Sequence, residues 1–479
     1  MVECILRTPQ MAGRLPPRHL SLVRPIRRLA SAVSVGIALA VLGTPALLLA
    51  HARLVKAVPG VGSVVAAPPS VIRLWFSEKP EARFTKIELL DSTGTAVALG
   101  ELAGVPNERM AMSAPVVGTM ANGRYTVSWR TAGADGHAIT GKFAFTLAAP
   151  APAAALPPAD TQQTQSSAER IPNTVVSVSP SVFSTTARWV ELVALLTLVG
   201  AVVFKLLVLP LAGFGPEQVT DATDRARRLA DAMLVLFVAT TLWRLSSQAD
   251  LLSGGPTGRV AAMISVARDT QWGRNWMIGA TGTVVAIVGF IVARGSSIGW
   301  PIAGLGLIAS SLGEGLTGHA GALESNARVA MAADVVHVFG AGGWLGGLTV
   351  VVLCGLPAIA RLDDNEKKRL GRALVRSYHR IALLCVSLVV LTGIVAAWTR
   401  LLSPSDLWTT PYGTVLFRKL VFVLALFGFG WYHWRTVVKP EWGDDTRFRF
   451  ARSAVGELLV GGVVLAATAV LVATALATH

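Results

Sequence analysis

The stretch Gly313–Gly347, GEGLTGHAGALESNARVAMAADVVHVFGAGGWLGG, decides how the chain is read. It joins two histidines, His319 and His337, to Glu314, Met331 and Asp334, and ends in a run of small residues from Gly340 to Gly347. The sequence on either side is apolar. An ionisable side chain inside a bilayer is costly and usually serves a function, so Glu314, Asp334 and His337 mark a membrane domain with internal polar chemistry. Composition agrees. The 479 residues are 52% hydrophobic and only 15% charged, with a mean hydropathy of +0.56, which excludes an ordinary soluble globular chain.

Working outward, eight apolar segments follow one another at about 187–209, 229–251, 276–293, 298–316, 329–353, 381–402, 415–434 and 455–477. Each is close to the roughly 20 residues that span a bilayer. Residues 182–479 therefore read as an all-α polytopic membrane domain of about eight transmembrane helices. Lys and Arg concentrate in alternate loops, at Arg225, Arg227 and Arg228, at Arg294, between Arg361 and Arg376, and between Arg435 and Arg452. The remaining loops hold only scattered basic residues, such as Arg259 and Arg328. The positive-inside rule places the basic loops in the cytoplasm and both ends of this domain outside. The net charge of +15 is explained by these loops, and no nucleic-acid partner is expected. The partner implied is the lipid bilayer.

This topology sorts the polar and sulfur side chains by depth. His319 lies at the outer end of the fourth segment, and His337 lies about eight residues into the fifth, ~12 Å down at the helical rise. Met277, Met331, Glu314 and Asp334 share that outer level, with Asp334 one turn from His337. His379, His433 and Cys354 fall on the cytoplasmic side, with Cys385 somewhat deeper. His379 and His433 also read as an interfacial belt, since Tyr378, Arg380, Tyr432 and Trp434 flank them. His337 faces the small-residue run, which suits close helix packing and a buried position. The three cysteines, Cys4, Cys354 and Cys385, are too few for a disulfide framework.

The front of the chain is different. Residues 1–50 read as a signal peptide, with six arginines between Arg7 and Arg28 and then an uncharged apolar run from Leu29 to Ala50. Cleavage after Ala50 leaves His51 as the mature N-terminus; an uncleaved anchor is the other reading, because the segment is long and Leu48 is large for its place before the cut. From 51 to 149 short alternating runs appear, VIRLWF at Val71–Phe76, FTKIELL at Phe84–Leu90, RYTVSWR at Arg124–Arg130 and KFAFTL at Lys142–Leu147. Strands of this period and length, with turns at Gly94 and Asn122-Gly123, predict an antiparallel β-sandwich with a core around Trp75, Phe76, Trp129 and Phe143. Residues 150–181, rich in Ala, Pro, Gln and Ser, read as a linker.

Three stretches of the front domain, HARLVKAVPGVGSVV from His51, VIRLWFSEKP from Val71 and GRYTVSWRTAGADGHAITGKFAF from Gly123, resemble the periplasmic copper-binding protein CopC. In the membrane domain, DVVHVFGAGGWLGGL from Asp334, LTGIVAAWTRL from Leu391 and TPYGTVLFRKLVFVLALFGFGWYHWR from Thr410 resemble the copper-resistance protein CopD. Together the chain is similar to a CopC–CopD fusion. The CopC resemblance implies an Ig-like sandwich that binds Cu(II) through the free amine and ring of His51 with Asp135 and His137, and Glu78 close behind them. An amine, two imidazoles and a carboxylate are the nitrogen and oxygen donors that tetragonal Cu(II) favours. Asp135 and His137 also read as ordinary turn residues, since Asp-Gly is a common turn pair. The CopD resemblance implies copper transport, with import the expected direction. Two tiers of imidazole and sulfur donors fit a membrane route for Cu(I) or Cu(II), outer (His319, His337, Asp334, Met331, Met277, Glu314) and inner (His379, His433, Cys354, Cys385).

The expectation is a multi-pass protein of a bacterial cytoplasmic membrane, contributing to copper homeostasis or resistance, with its front domain outside and a periplasmic copper donor as a further partner. Histidines on neighbouring helices also suit a haem-binding electron carrier, and a protein that sequesters or senses copper without moving it is the third reading. No nucleotide-binding loop or catalytic triad is present, so neither a pump nor an enzyme is expected.

Overall fold

A computed structural model describes residues 54–77, 79–133, 138–148, 174–177, 182–253, 258–318, 327–401, 403–438 and 444–473. The expectations for residues 1–53, including the signal peptide and His51, and those for Glu78, Asp135, His137 and His319 lie outside these residues.

The front domain is two packed sheets. One has the order β1 (Leu54–Val58), β3 (Val71–Phe76), β7 (Glu108–Pro115), β6 (Ala103–Val105); the other runs β10 (Thr174–Ser177), β9 (Ala138–Leu147), β8 (Gly123–Ala132), β4 (Lys86–Leu90), β5 (Ala96–Val97). All these pairs are antiparallel, and the short β2 (Val64–Val65) adds a parallel pairing to β9. The alternation in VIRLWF turns Ile72, Leu74 and Phe76 inward, where they meet Leu89, Val127, Trp129, Phe143 and Phe145. Phe76 and Trp129 pack edge to face at 5.2 Å. Trp75 is out of phase with this set and does not join the core. Its indole lies on the outer face, donates to Glu108 and sits under Lys56 at 4.8 Å. The region read as linker contributes β10, paired with β9 from Thr174↔Lys142 to Ser177↔Ile139.

The membrane domain is built from nine helices among the described residues. They are α1 (Val182–Val203), α2 (Pro216–Ser253), α3 (Arg259–Asp269), α4 (Gln271–Val292), α5 (Gly299–Leu316), α6 (Ala327–Ala341), α7 (Asp364–Arg400), α8 (Pro411–Val438) and α9 (Asp444–Ala473), with a single extra turn at Asp406–Thr409. Helix α6 continues through two π-turns, Gly342–Gly346 and Val351–Gly355, to Ala358. Seven of the helices are long and apolar enough to cross a membrane. The fourth expected span forms α5, 18 residues rich in glycine and serine, ~27 Å long at the helical rise. It packs along α4, where a Cβ at Gly282 or Gly306 would overlap the opposing backbone.

Helix ends differ from the apolar segments. Helices α2 and α7 have 38 and 37 residues, ~55 Å each, because their charged first turns are helical ahead of the apolar stretch. Asp363 caps α7 by accepting from the amides of Asn365 and Glu366. Helix α1 lies at the centre of the bundle, buried from Ala194 to Val202. The small-residue run of α6 packs on it: Gly346 and Gly342 meet Leu196, Val199 and Gly200 so closely that a side chain at either glycine would collide. The two domains also touch. Phe84 and Ala132 of the sandwich share an apolar cluster with Leu245, Val266 and Trp272 of the membrane domain.

Candidate metal centre

In the front domain three separate segments converge on one end. Leu54, three residues after His51, pairs with Phe76, two residues before Glu78. Strands β8 and β9 pair as far as Ala132↔Ala138, so the segment holding Asp135 and His137 joins the last rungs of that hairpin. The amide of Glu81, just past β3, donates to the carbonyl of Ala132 at 2.9 Å, and the hydroxyls of Thr85 and Thr131 lie 2.7 Å apart beside it. The chain positions next to all four expected donors are thus brought to the same edge of the sandwich. At most ~3.5 Å of chain per residue separates each donor from these anchors. Farther off, the hydroxyl of Thr93 and the amides around it hold the Asp91 carboxyl below its ordinary value, an effect local to the β4–β5 turn.

The outer tier of the membrane domain is held by cations. Asp334 accepts from Arg400 at 2.8 and 3.1 Å, and Lys419 lies within electrostatic reach of both. His337 is half-buried, and its Nδ1 lies 3.0 Å from the hydroxyl of Thr392, facing Gly393 across a contact a side chain would narrow. Met331 is half-buried, and Met277 is 37% exposed. Glu314 belongs to a buried quartet: it accepts from Arg244 at 2.6 and 2.8 Å and from Arg188. Glu191 closes the quartet, 2.9 Å from Arg188 and 3.1 Å from Arg244, with the Thr241 hydroxyl at 3.3 Å. Two cations and two carboxylates give a neutral set, which is the condition for keeping charges buried.

The inner tier is a hydrogen-bonded chain. His433 Nδ1 lies 2.9 Å from Glu457 and its Nε2 lies 2.7 Å from the Ser453 hydroxyl. Trp344 donates to the other Glu457 oxygen at 2.8 Å, and the Tyr378 hydroxyl donates to the Trp344 carbonyl at 2.9 Å. His433 is 4% exposed, so the interfacial-belt reading does not hold for it, whereas its neighbours Tyr432 and Trp434 are 43% and 42% exposed. His379 lies within electrostatic reach of His433 and Glu457, and its buried Nε2 has no hydrogen-bond partner among the described residues. Cys385 faces Gly343, and Cys354 is buried deeper in the core near Val351 and Leu356.

Among the described residues no group of three or more His, Cys, Asp and Glu side chains is arranged to hold a metal ion. The outer residues are divided between the Asp334–Arg400 pair and the quartet. Sequence reasoning missed Arg188, Glu191, Arg244, Lys419 and Glu457, although each lies within an apolar segment.

Family comparisons agree with both halves. The CopC domain family matches residues 54–148, the copper resistance protein D-like N-terminal domain matches 179–329, and copper resistance protein D matches 372–471. The chain joins a CopC domain to a CopD membrane domain. Over 392 residues it is 25% identical to the copper transport protein CutJ of Bacillus subtilis, covering 79% of this chain and 67% of that one. The CopD region is 25% identical to copper resistance protein D of Pseudomonas syringae pv. tomato, over 45% of this chain and 69% of that one. Among solved structures the CopC domain is similar to CopC from Methylosinus trichosporium OB3b, with 31% identity, 22% of this chain and 100% of that one, and a TM-score of 0.20. PcoC from Escherichia coli is 32% identical over 21% of this chain and 100% of that one, with a TM-score of 0.19.

Proposed function

We propose that the CopC domain captures Cu(II) outside the membrane through His51, Asp135 and His137, with Glu78 behind them, and that the CopD domain carries copper inward. The observation that supports this best is the convergence of the chain beside those four residues on one end of the sandwich. An amine, two imidazoles and a carboxylate form a donor set for tetragonal Cu(II).

In the membrane, His337 is the first imaginable stop for an ion leaving the CopC domain. Its Nδ1 is engaged by Thr392, which leaves Nε2 as the donor. Arg400 and Lys419 repel a cation there, so an ion reaches His337 only with Asp334 as counter-charge and Met331 as a soft donor alongside. On the cytoplasmic side, His379 has a buried ring nitrogen unpaired among the described residues, and Cys385 and Cys354 offer sulfur. A haem-ligating pair is less well supported, since both ring nitrogens of His433 are already engaged.

The test is copper entry into proteoliposomes that contain the full chain and a luminal copper indicator. Entry above that of protein-free vesicles is expected. Copper binding without entry supports sequestration or sensing and overturns transport.

A further inference from the structure

The contact between the domains is small, yet it is built from three different interactions. Arg83, in a single turn after β3, pairs with Asp269 at the end of α3 at 2.9 Å. The carboxylate of Glu81 accepts from the backbone amide of Gln271 at 2.8 Å. That amide opens α4, and the first amides of a helix have no partner within it. The Thr270 side chain satisfies another of them, accepting from the amide of Gly273 at 2.8 Å, and the front domain adds to that cap through Gln271. A carboxylate at this position also meets the positive end of the helix dipole. Third, Phe84 and the fully buried Ala132 enter the apolar cluster of Leu245, Ala249, Val266 and Trp272.

The location gives the contact its meaning. Ala132 precedes Asp135 by three residues and Glu81 follows Glu78 by three, so the docked edge carries the described chain on the near side of two of the proposed donors. From Gln271 a polar line continues inward. Its side-chain amide donates to Asn275 at 3.2 Å, and Asn275 donates to the carbonyl of Leu316 at 2.9 Å. Leu316 lies two residues after Glu314 of the buried quartet.

We propose that α3 and the first turn of α4 form a transfer seat, and that copper leaves the CopC domain for the membrane only while Arg83 and Glu81 are docked there. The proposal rests on the transport reading above. Arg83, Glu81, Asp269 and the start of α4 are positioning groups and do not bind the metal. The exposed ion pair supplies orientation more than strength.

The experiment uses the full chain in membranes, with cysteines at Lys79 and Arg268, two exposed positions close in the chain to Glu81 and Asp269, joined by a short bifunctional thiol reagent under copper chelation. Cross-linking reads docking without copper; cellular copper accumulation and Cu(II) binding are measured in parallel on the same Arg83 and Asp269 variants without the added cysteines. Arg83→Asp and Asp269→Arg are each expected to slow cross-linking by roughly fivefold and to lower copper accumulation, with Cu(II) binding unchanged. The exchanged pair, Arg83→Asp with Asp269→Arg, is expected to restore both. Unchanged cross-linking in the single variants, or normal accumulation in a variant that no longer cross-links, overturns the seat. Failure of the transport reading shows separately: the two-cysteine chain with Arg83 and Asp269 unchanged cross-links, yet the parent chain accumulates no copper.

Discussion

Glu191→Gln keeps the shape of the most deeply buried member of the quartet and removes its charge. The side chain is 1% exposed and accepts from Arg188, Arg244 and Thr241. With Glu191 neutral, Arg188 and Arg244 share the single carboxylate of Glu314. Breaking a buried ion pair by removing one partner costs about 3–5 kcal/mol, because a charge is left uncompensated. For domains of 150–250 residues each kcal/mol moves the melting temperature by about 2–4 °C, so a drop of roughly 6–20 °C is expected in a thermal melt of the purified full chain. The double variant Arg188→Gln with Glu191→Gln leaves the neutral pair Arg244–Glu314 at 2.6 Å. It is expected to lose less than the two single variants together, by about 1–3 kcal/mol of coupling. A Glu191→Gln protein that melts within a degree or two of the parent refutes the quartet as the element that ties α1, α2 and α5 together.

Sequencing of the mature protein is expected to begin at His51, since an intact chain before it removes the amine donor; any other first residue refutes the proposed terminal ligand. His51→Ala and His137→Ala are each expected to weaken Cu(II) binding by more than the ~10–100-fold that outer partners of a metal ligand contribute, as read by competition titration, and unchanged affinity in both refutes the assignment. His337→Ala is expected to stop copper entry in proteoliposomes while leaving Cu(II) binding and the melting temperature close to the parent values; normal entry through the folded variant leaves His337 a packing residue.

Much of the fold is legible from periodicity. The four quoted runs correspond to β3, β4, β8 and β9, and each apolar segment has a helix at its core among the described residues. Aromatic size suggests a core place for Trp75, but strand phase decides its face: with Ile72, Leu74 and Phe76 inward, residue 75 faces out. Hydropathy marks where lipid is and not where hydrogen bonding ends, so α2 and α7 begin more than a turn before their apolar cores. The buried charges Arg188, Glu191, Arg244, Lys419 and Glu457 were visible in the sequence as isolated charges among apolar residues. Their pairing was not, because Glu191 meets Arg244 across 53 residues and Arg188 meets Glu314 across 126. Glu457 engages His433 from the following helix, a contact that no local pattern announces, whereas the flanking Tyr432 and Trp434 are visible in the sequence and suggest an interfacial belt.

The most direct test of copper capture followed by transport is the copper content of cells grown in limiting copper with the intact chain, with its His137→Ala variant, or with neither, at matched protein levels. The intact chain is expected to raise cellular copper above the level of cells that lack it, and His137→Ala is expected to return it to that level. Equal copper in all three, with the protein folded in the membrane, contradicts the account.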